Sequence, residues 1–281
     1  MFARVATLPQ WLPQRWFYAG ISILTIGMIT IGQPQMSQSA DLLQLLLRGA
    51  QIAQLSNMSD AQEIALGEQT NQSISGEVRI SRNPAMINYI NQIGQRLARN
   101  SARPNLKYTF QVVEDDNINA FATMGGFVYI HTGLMKAADN EAQLASVIGH
   151  EIGHITGRHS LEQIRKTAIS QGVSSLLGVD RDQIVQIGVQ LALTLPNSRK
   201  DEYDADRRGL TTMIQSGYAP SAMPEFMKKL ISNKLSPEFL SSHPAVPERV
   251  ANLQRMIPAA YRNRTDGLNA STYKQSLRSF F

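Results

Sequence analysis

The chain has no cysteine in its 281 residues. Disulfides and thiol nucleophiles are therefore excluded, as is lipid attachment through an N-terminal cysteine; the absence is compatible with an oxidising compartment. Aromatic residues are sparse, at 7%. No arginine-rich stripe is interleaved with them, so nucleic acid is not an expected partner. There is no repeat array and no long hydrophilic extension. Charge of either sign is limited, with a net +5 and a pI near 9.5. A mildly basic surface suits an anionic membrane surface or acidic substrates, and equally serves solubility.

Histidine is scarce too, at five residues, yet two of the five stand in His150-Glu151-Ile152-Gly153-His154, after the apolar run from Ala142 to Gly149. Histidines four apart lie one turn apart on one helix face. From there both imidazoles can reach one Zn²⁺, with Glu151 beside the metal as a base for its water. The bare pattern also arises by chance on amphipathic helices, so its weight depends on the rest of the chain. A catalytic zinc needs a third protein ligand and an open position. Downstream, Glu202 and Asp206 are one turn apart at the start of a helical pattern running through Leu210, Met213 and Ile214. Glu202 can supply the third ligand, and Asp206 can accept the free N–H of a ligand histidine. The competing reading is a solvated face, with both acids paired to Arg199, Lys200, Arg207 and Arg208.

Five ordered stretches resemble one family. They are residues 59–68 (SDAQEIALGE), Asn119 to Ala122 with Gly125 to Leu134, His150 to His154 running on to Arg158-His159, Ser198-Arg199 with Glu202, Ala205 and Asp206, and Ser242-His243-Pro244 with Pro247, Glu248 and Arg249. Together they resemble the gluzincin metallopeptidases that include CAAX prenyl endopeptidase, HtpX and BepA. The resemblance implies one zinc per chain on His150, His154 and Glu202, with Glu151 and Asp206 in catalysis. It also implies that His243 can approach the metal, as a latch or as a polar group at the reacting carbonyl. A loop histidine capping the helix that starts near Pro247 is the alternative. His159, five residues past His154, is expected to point about 140° away from the ligand face and reads as a structural hydrogen-bonding residue rather than a ligand. Arg249 reads as steadying the site or as a surface arginine.

The patterning predicts an α+β fold, mostly helical, and the resemblance implies a gluzincin-like domain with a small sheet whose edge strand lines the active site. Gly126, Phe127, Val128, Tyr129 and Ile130 are expected to be that edge and to bind substrate as an added strand. Helices are expected at 41–55, 59–69, 84–98, 140–169 with a break near Gly157, 184–195, 201–216, 220–230 and 247–256. Asp180, Arg181 and Asp182 interrupt the apolar stretch from Val173 to Leu195, which argues against a membrane span there and for a helical pair covering the cleft.

Arg4 and Arg15 precede an apolar stretch of about 17 residues, followed by small and polar residues up to Ala40. This is either a signal peptide cut after Ser39 or Ala40 or an uncleaved anchor. Both readings export the rest of the chain, to the periplasm or the extracytoplasmic face of a membrane. The expected organisation is an export segment over 1–40, a metallopeptidase domain over 41–263 and a C-terminal tail over 264–281. The expected function is zinc-dependent endopeptidase action on unfolded or misfolded envelope proteins. The rival is a latched or non-catalytic assembly factor that holds extended chains on the same strand.

Overall fold

A computed structural model describes residues 58–170, 181–233, 237–244 and 247–281. The export segment expected over 1–40 and the helix expected over 41–55 lie outside the described residues. Among the described residues no helix is long and apolar enough to cross a membrane. The fold is α+β and mostly helical, as the patterning predicts.

The helices are α1 (Asp60–Glu77), α2 (Pro84–Ala98), α3 (Thr132–Ala137), α4 (Glu141–Thr156), α5 (His159–Ser170), α6 (Arg181–Thr194), α7 (Arg199–Gln215), α8 (Ala222–Asn233), α9 (Pro237–Ser242), α10 (Pro247–Met256) and α11 (Ala270–Arg278). Their starts are chemically marked. A capping box opens α1, where Ser59 Oγ accepts from the Gln62 amide and Gln62 Oε1 accepts from the Ser59 amide. Asn83 caps α2, which has proline at its first position. Asn140 caps α4, and Ser198 caps α7.

Helix α4 is the axis of the domain. Every residue from Ala142 to Ile155 is buried, as expected of a helix enclosed on all sides. It crosses α7 at small residues. A Cβ on Gly153 would lie 2.5 Å from the Ala205 carbonyl oxygen, and one on Gly209 would lie 2.9 Å from the Gly149 carbonyl. Only glycine allows this approach, and it brings the first turn of α7, with Glu202, beside the two histidines of α4.

The sheet has three strands, β1 (Thr109–Val113), β2 (Ala120–Thr123) and β3 (Phe127–His131), in the order β1-β3-β2. Strand β3 pairs parallel with β1 and antiparallel with β2. This corrects the expectation for Gly126, Phe127, Val128, Tyr129 and Ile130. Gly126 lies in the turn before β3, and the other four are in the central strand, whose two edges are both taken. The free edge facing the cleft belongs to β2. The signal was in the sequence: Phe-Val-Tyr-Ile-His has no polar alternation, and all five residues are buried.

The helix expected over 140–169 breaks after Thr156. Arg158 adopts φ 54°, and α5 begins at His159. Within the stretch read as a C-terminal tail, α11 packs onto the core through Tyr273, which is buried and donates to the Met135 carbonyl at 2.6 Å.

Candidate metal centre

Helices α4 and α7 and the end of α9 converge on one buried point. His150 and His154 come from α4, Glu202 from α7, and His243 from the residue after α9. One donor atom from each lies within 4.8 Å of all the others, a group that could hold a metal ion. The Nε2 atoms of His150 and His154 are 3.1 Å apart. Glu202 Oε2 is 3.4 Å from His150 Nε2, and Oε1 is 3.2 Å from His154 Nε2. His243 Nδ1 is 3.3 Å from His150 Nε2 and 3.1 Å from Glu202 Oε1.

The surroundings fix these groups. Asp206 Oδ1 is 3.0 Å from His150 Nδ1, a close contact on the side of the ring away from the Nε2 that faces the cluster. Arg249, 2% exposed, donates to both Asp206 oxygens at 2.7 and 2.8 Å, and its Nη1 is 2.6 Å from Glu202 Oε2. The same Nη1 donates to the Pro244 carbonyl, which ties the His243 loop to the carboxylates. Arg249 is thus a buried bridge rather than a surface arginine. Burial pushes both carboxylates up, but the neighbouring cations win: Glu202 is held well below the usual range by His243 and His150, and Asp206 is lowered by Arg249 and His150.

Glu151 stays out of the donor group. It is fully buried, and burial raises its pKa against the pull of His243 and His150. Its Oε1 is 3.5 Å from His243 Nε2. Asp206→Asn is expected to weaken metal affinity by about 10–100-fold. Chelator competition on the folded variant reads this, and wild-type affinity would return Asp206 to a purely structural role.

A cleft opens beside the cluster. One wall is β2, with Phe121, Ala122 and Thr123. The other includes Gly188, Leu191 and Ala192 of α6, so one helix of the expected covering pair is in place; residues 171–180 lie outside the described residues. The Asn119 carbonyl accepts from the His131 amide, so Asn119 faces β3 and Ala120 faces the open edge. Three side chains meet that edge, the first being Asn119, whose Oδ1 accepts from the Ala120 amide at 3.0 Å. His243 Nε2 is 3.3 Å from the Ala120 carbonyl oxygen, and Ser160 Oγ donates to the Ala122 carbonyl at 3.5 Å. A second pocket, apolar, opens on the other side of His150, lined by Val147, Met223, Phe226, Met227, Leu230 and Phe239, with Arg249 at its polar end.

His159 is the residue the sequence placed wrongly. It lies against His154 instead of pointing away, with Nδ1 2.9 Å from His154 Nδ1. The available signal was Gly157, since a glycine near a helix end marks a change of direction.

Residues 84–257 match the family model described as peptidase family M48. The beta-barrel assembly-enhancing protease of Escherichia coli (strain K12) is 32% identical over 246 residues, covering 81% of this chain and 50% of that protein. The mitochondrial metalloendopeptidase OMA1 of Schizosaccharomyces pombe is 29% identical over 183 residues, 63% of this chain and 54% of that protein. The OMA1 of Arabidopsis thaliana is 34% identical over 157 residues, 54% of this chain and 32% of that protein. The chain spans about half the length of the first two of these relatives.

Proposed function

The chain belongs to peptidase family M48, and from that membership and the buried donor cluster we propose that it is a zinc metalloendopeptidase acting on unfolded or misfolded proteins of the cell envelope. The observation that carries the reading is the spacing of the donors. Zinc bound at about 2.0–2.2 Å to nitrogen and oxygen in a tetrahedron separates its ligand atoms by roughly 3.3–3.5 Å. Five contacts among these side chains, drawn to both Glu202 oxygens, run from 3.1 to 3.4 Å, and one donor atom from each of the four lies within 4.8 Å of the rest. His150, His154 and Glu202 would hold the ion, and His243 belongs to the same buried group of donors.

Zinc held there would supply a Lewis acid that acidifies a water and polarises the scissile carbonyl. Glu151 takes the proton from that water and returns one to the leaving amine. Asp206 lies against His150 Nδ1, and Arg249 keeps Glu202 and Asp206 in place.

Substrate is read as an extended chain added to the outer edge of β2, where any backbone could replace Asn119, His243 and Ser160 at the outward groups of Ala120 and Ala122. Such pairing tolerates many sequences but requires a locally unfolded chain. The basic start and apolar stretch within residues 1–40 support export, with a membrane surface as a further contact.

His243 meets the donor group and the substrate edge with one ring. Its Nδ1 stands among the donor atoms of His150 and Glu202, and its Nε2 takes the Ala120 carbonyl that a substrate strand would need. His243→Ala is therefore expected to raise basal cleavage of an unfolded protein without loss of zinc. A fall in turnover would make the ring a catalytic group, and loss of zinc would make it an obligatory ligand.

The test of the function is direct. The purified chain should carry about one zinc, cleave an unfolded test protein, lose that activity on chelation and regain it with zinc. Full cleavage after chelation, or no zinc uptake, would overturn the reading.

A further inference from the structure

Asp206 lies against His150, and the other ligand histidine has a partner of its own. We propose that His159 is a positioning residue that, backed by Asp204, fixes the ring and tautomer of His154 so that its bare Nε2 faces the metal. This rests on the zinc reading above.

The contacts form a line. Asp204 Oδ2 is 3.2 Å from His159 Nε2, and His159 Nδ1 is 2.9 Å from His154 Nδ1. The two imidazole planes meet at 82° with centroids 5.0 Å apart. The direction of the protons follows from the acidic end. An ionised carboxylate only accepts, and Asp204 is held between two guanidinium donors, Arg207 Nη2 on Oδ1 and Arg208 Nε on Oδ2. The proton between Asp204 and His159 therefore sits on His159 Nε2. A neutral imidazole then has a bare Nδ1, which accepts from His154 Nδ1–H. That leaves His154 Nε2 without a proton, 3.2 Å from Glu202 Oε1 and inside the donor cluster. A free-standing imidazole would share its proton between two nitrogens; here the order is imposed from Asp204.

The backbone is shaped to allow this. Arg158 holds φ 54°, a conformation that residues with a side chain rarely adopt. It is anchored there by its contact with Asp60, by Nε 3.0 Å from Glu63 Oε2, and by Nη1 donating to the Met58 carbonyl. Gly157 leaves room for the returning ring, since a Cβ there would lie 2.3 Å from His159 Nε2. Four features, Gly157, Arg158, His159 and Asp204, thus serve one contact with His154.

The experiment compares zinc affinity by chelator competition in the full chain and in His159→Leu, His159→Asn and Asp204→Asn, with melting of each chelated protein alongside. His159→Leu removes the acceptor and is expected to bind about 10–100-fold more weakly. The amide oxygen of His159→Asn can stand near the Nδ1 position and should recover most of that loss. Asp204→Asn touches no proposed ligand, yet its amide can donate to His159 and reverse the proton order, so it too should weaken binding. Should His159→Leu fail to fold, the other two variants carry the test. Wild-type affinity in folded His159→Leu or Asp204→Asn overturns the proposal. Equal weakening in His159→Leu and His159→Asn also overturns it, as the mark of packing alone. A wild-type chain that takes up no zinc would overturn the zinc reading itself.

Discussion

Glu151→Gln is expected to lower the cleavage rate of an unfolded protein by about 10²–10⁴-fold, the usual worth of a general base, while zinc content and fold stay as in wild type. Glutamine keeps the size of the side chain, which matters at a position 1% exposed. Glu151 is absent from the donor group, so the ligand set survives the change. What disappears is a carboxylate that can take and return a proton. The amide can still hydrogen-bond in the same place, so the loss tests proton transfer rather than packing. The reading uses single-turnover cleavage together with metal content. Persistence of wild-type, zinc-dependent cleavage would remove Glu151 from the role of base. Loss of zinc would instead make the carboxylate part of the ligand support.

Much of this centre was legible because its signals are local. His150 and His154 are one turn apart on one helix, and helix geometry puts them on one face whatever the rest of the chain does. Glu202 and Asp206 repeat that spacing on a second helix. The caps at Ser59, Asn83, Asn140 and Ser198 mark helix starts through short-range hydrogen bonds. Strand order was less legible. Phe127–His131 reads as a strand, but the partner on its parallel side, β1, is separated from it by β2 in the sequence. Period and propensity specify a strand without specifying its neighbours. His159 was misplaced because extrapolating from His154 assumed an unbroken helix, and Arg158 turns the chain. Arg249 was ambiguous because its partners lie 43 and 47 residues away on α7, and no local pattern separates a buried bridge from a surface arginine.

Arg249→Met follows from that bridge and should have the largest effect on stability. The guanidinium serves two buried carboxylates, Glu202 and Asp206, which with Arg249 are at most 4% exposed in their side chains. Methionine fills much of the volume but removes the only arginine that contacts both acids among the described residues. Leaving buried charge uncompensated costs about 3–5 kcal/mol, which for a domain of this size lowers the melting temperature by roughly 6–20 °C. The same arithmetic predicts a dependence on metal. Two carboxylates and one arginine sum to −1, which a divalent cation more than balances. Without the arginine the sum is −2, and the cation becomes the main compensation. The gap in melting temperature between zinc-loaded and chelated protein should therefore widen in Arg249→Met relative to wild type. Arg249→Lys should fall between the two, since it restores charge without the paired donors that reach both Asp206 oxygens. If chelated Arg249→Met melts with the wild type, the bridge carries no stability. If it melts low but zinc recovers no more than in wild type, Arg249 supports packing rather than the charge balance of the centre.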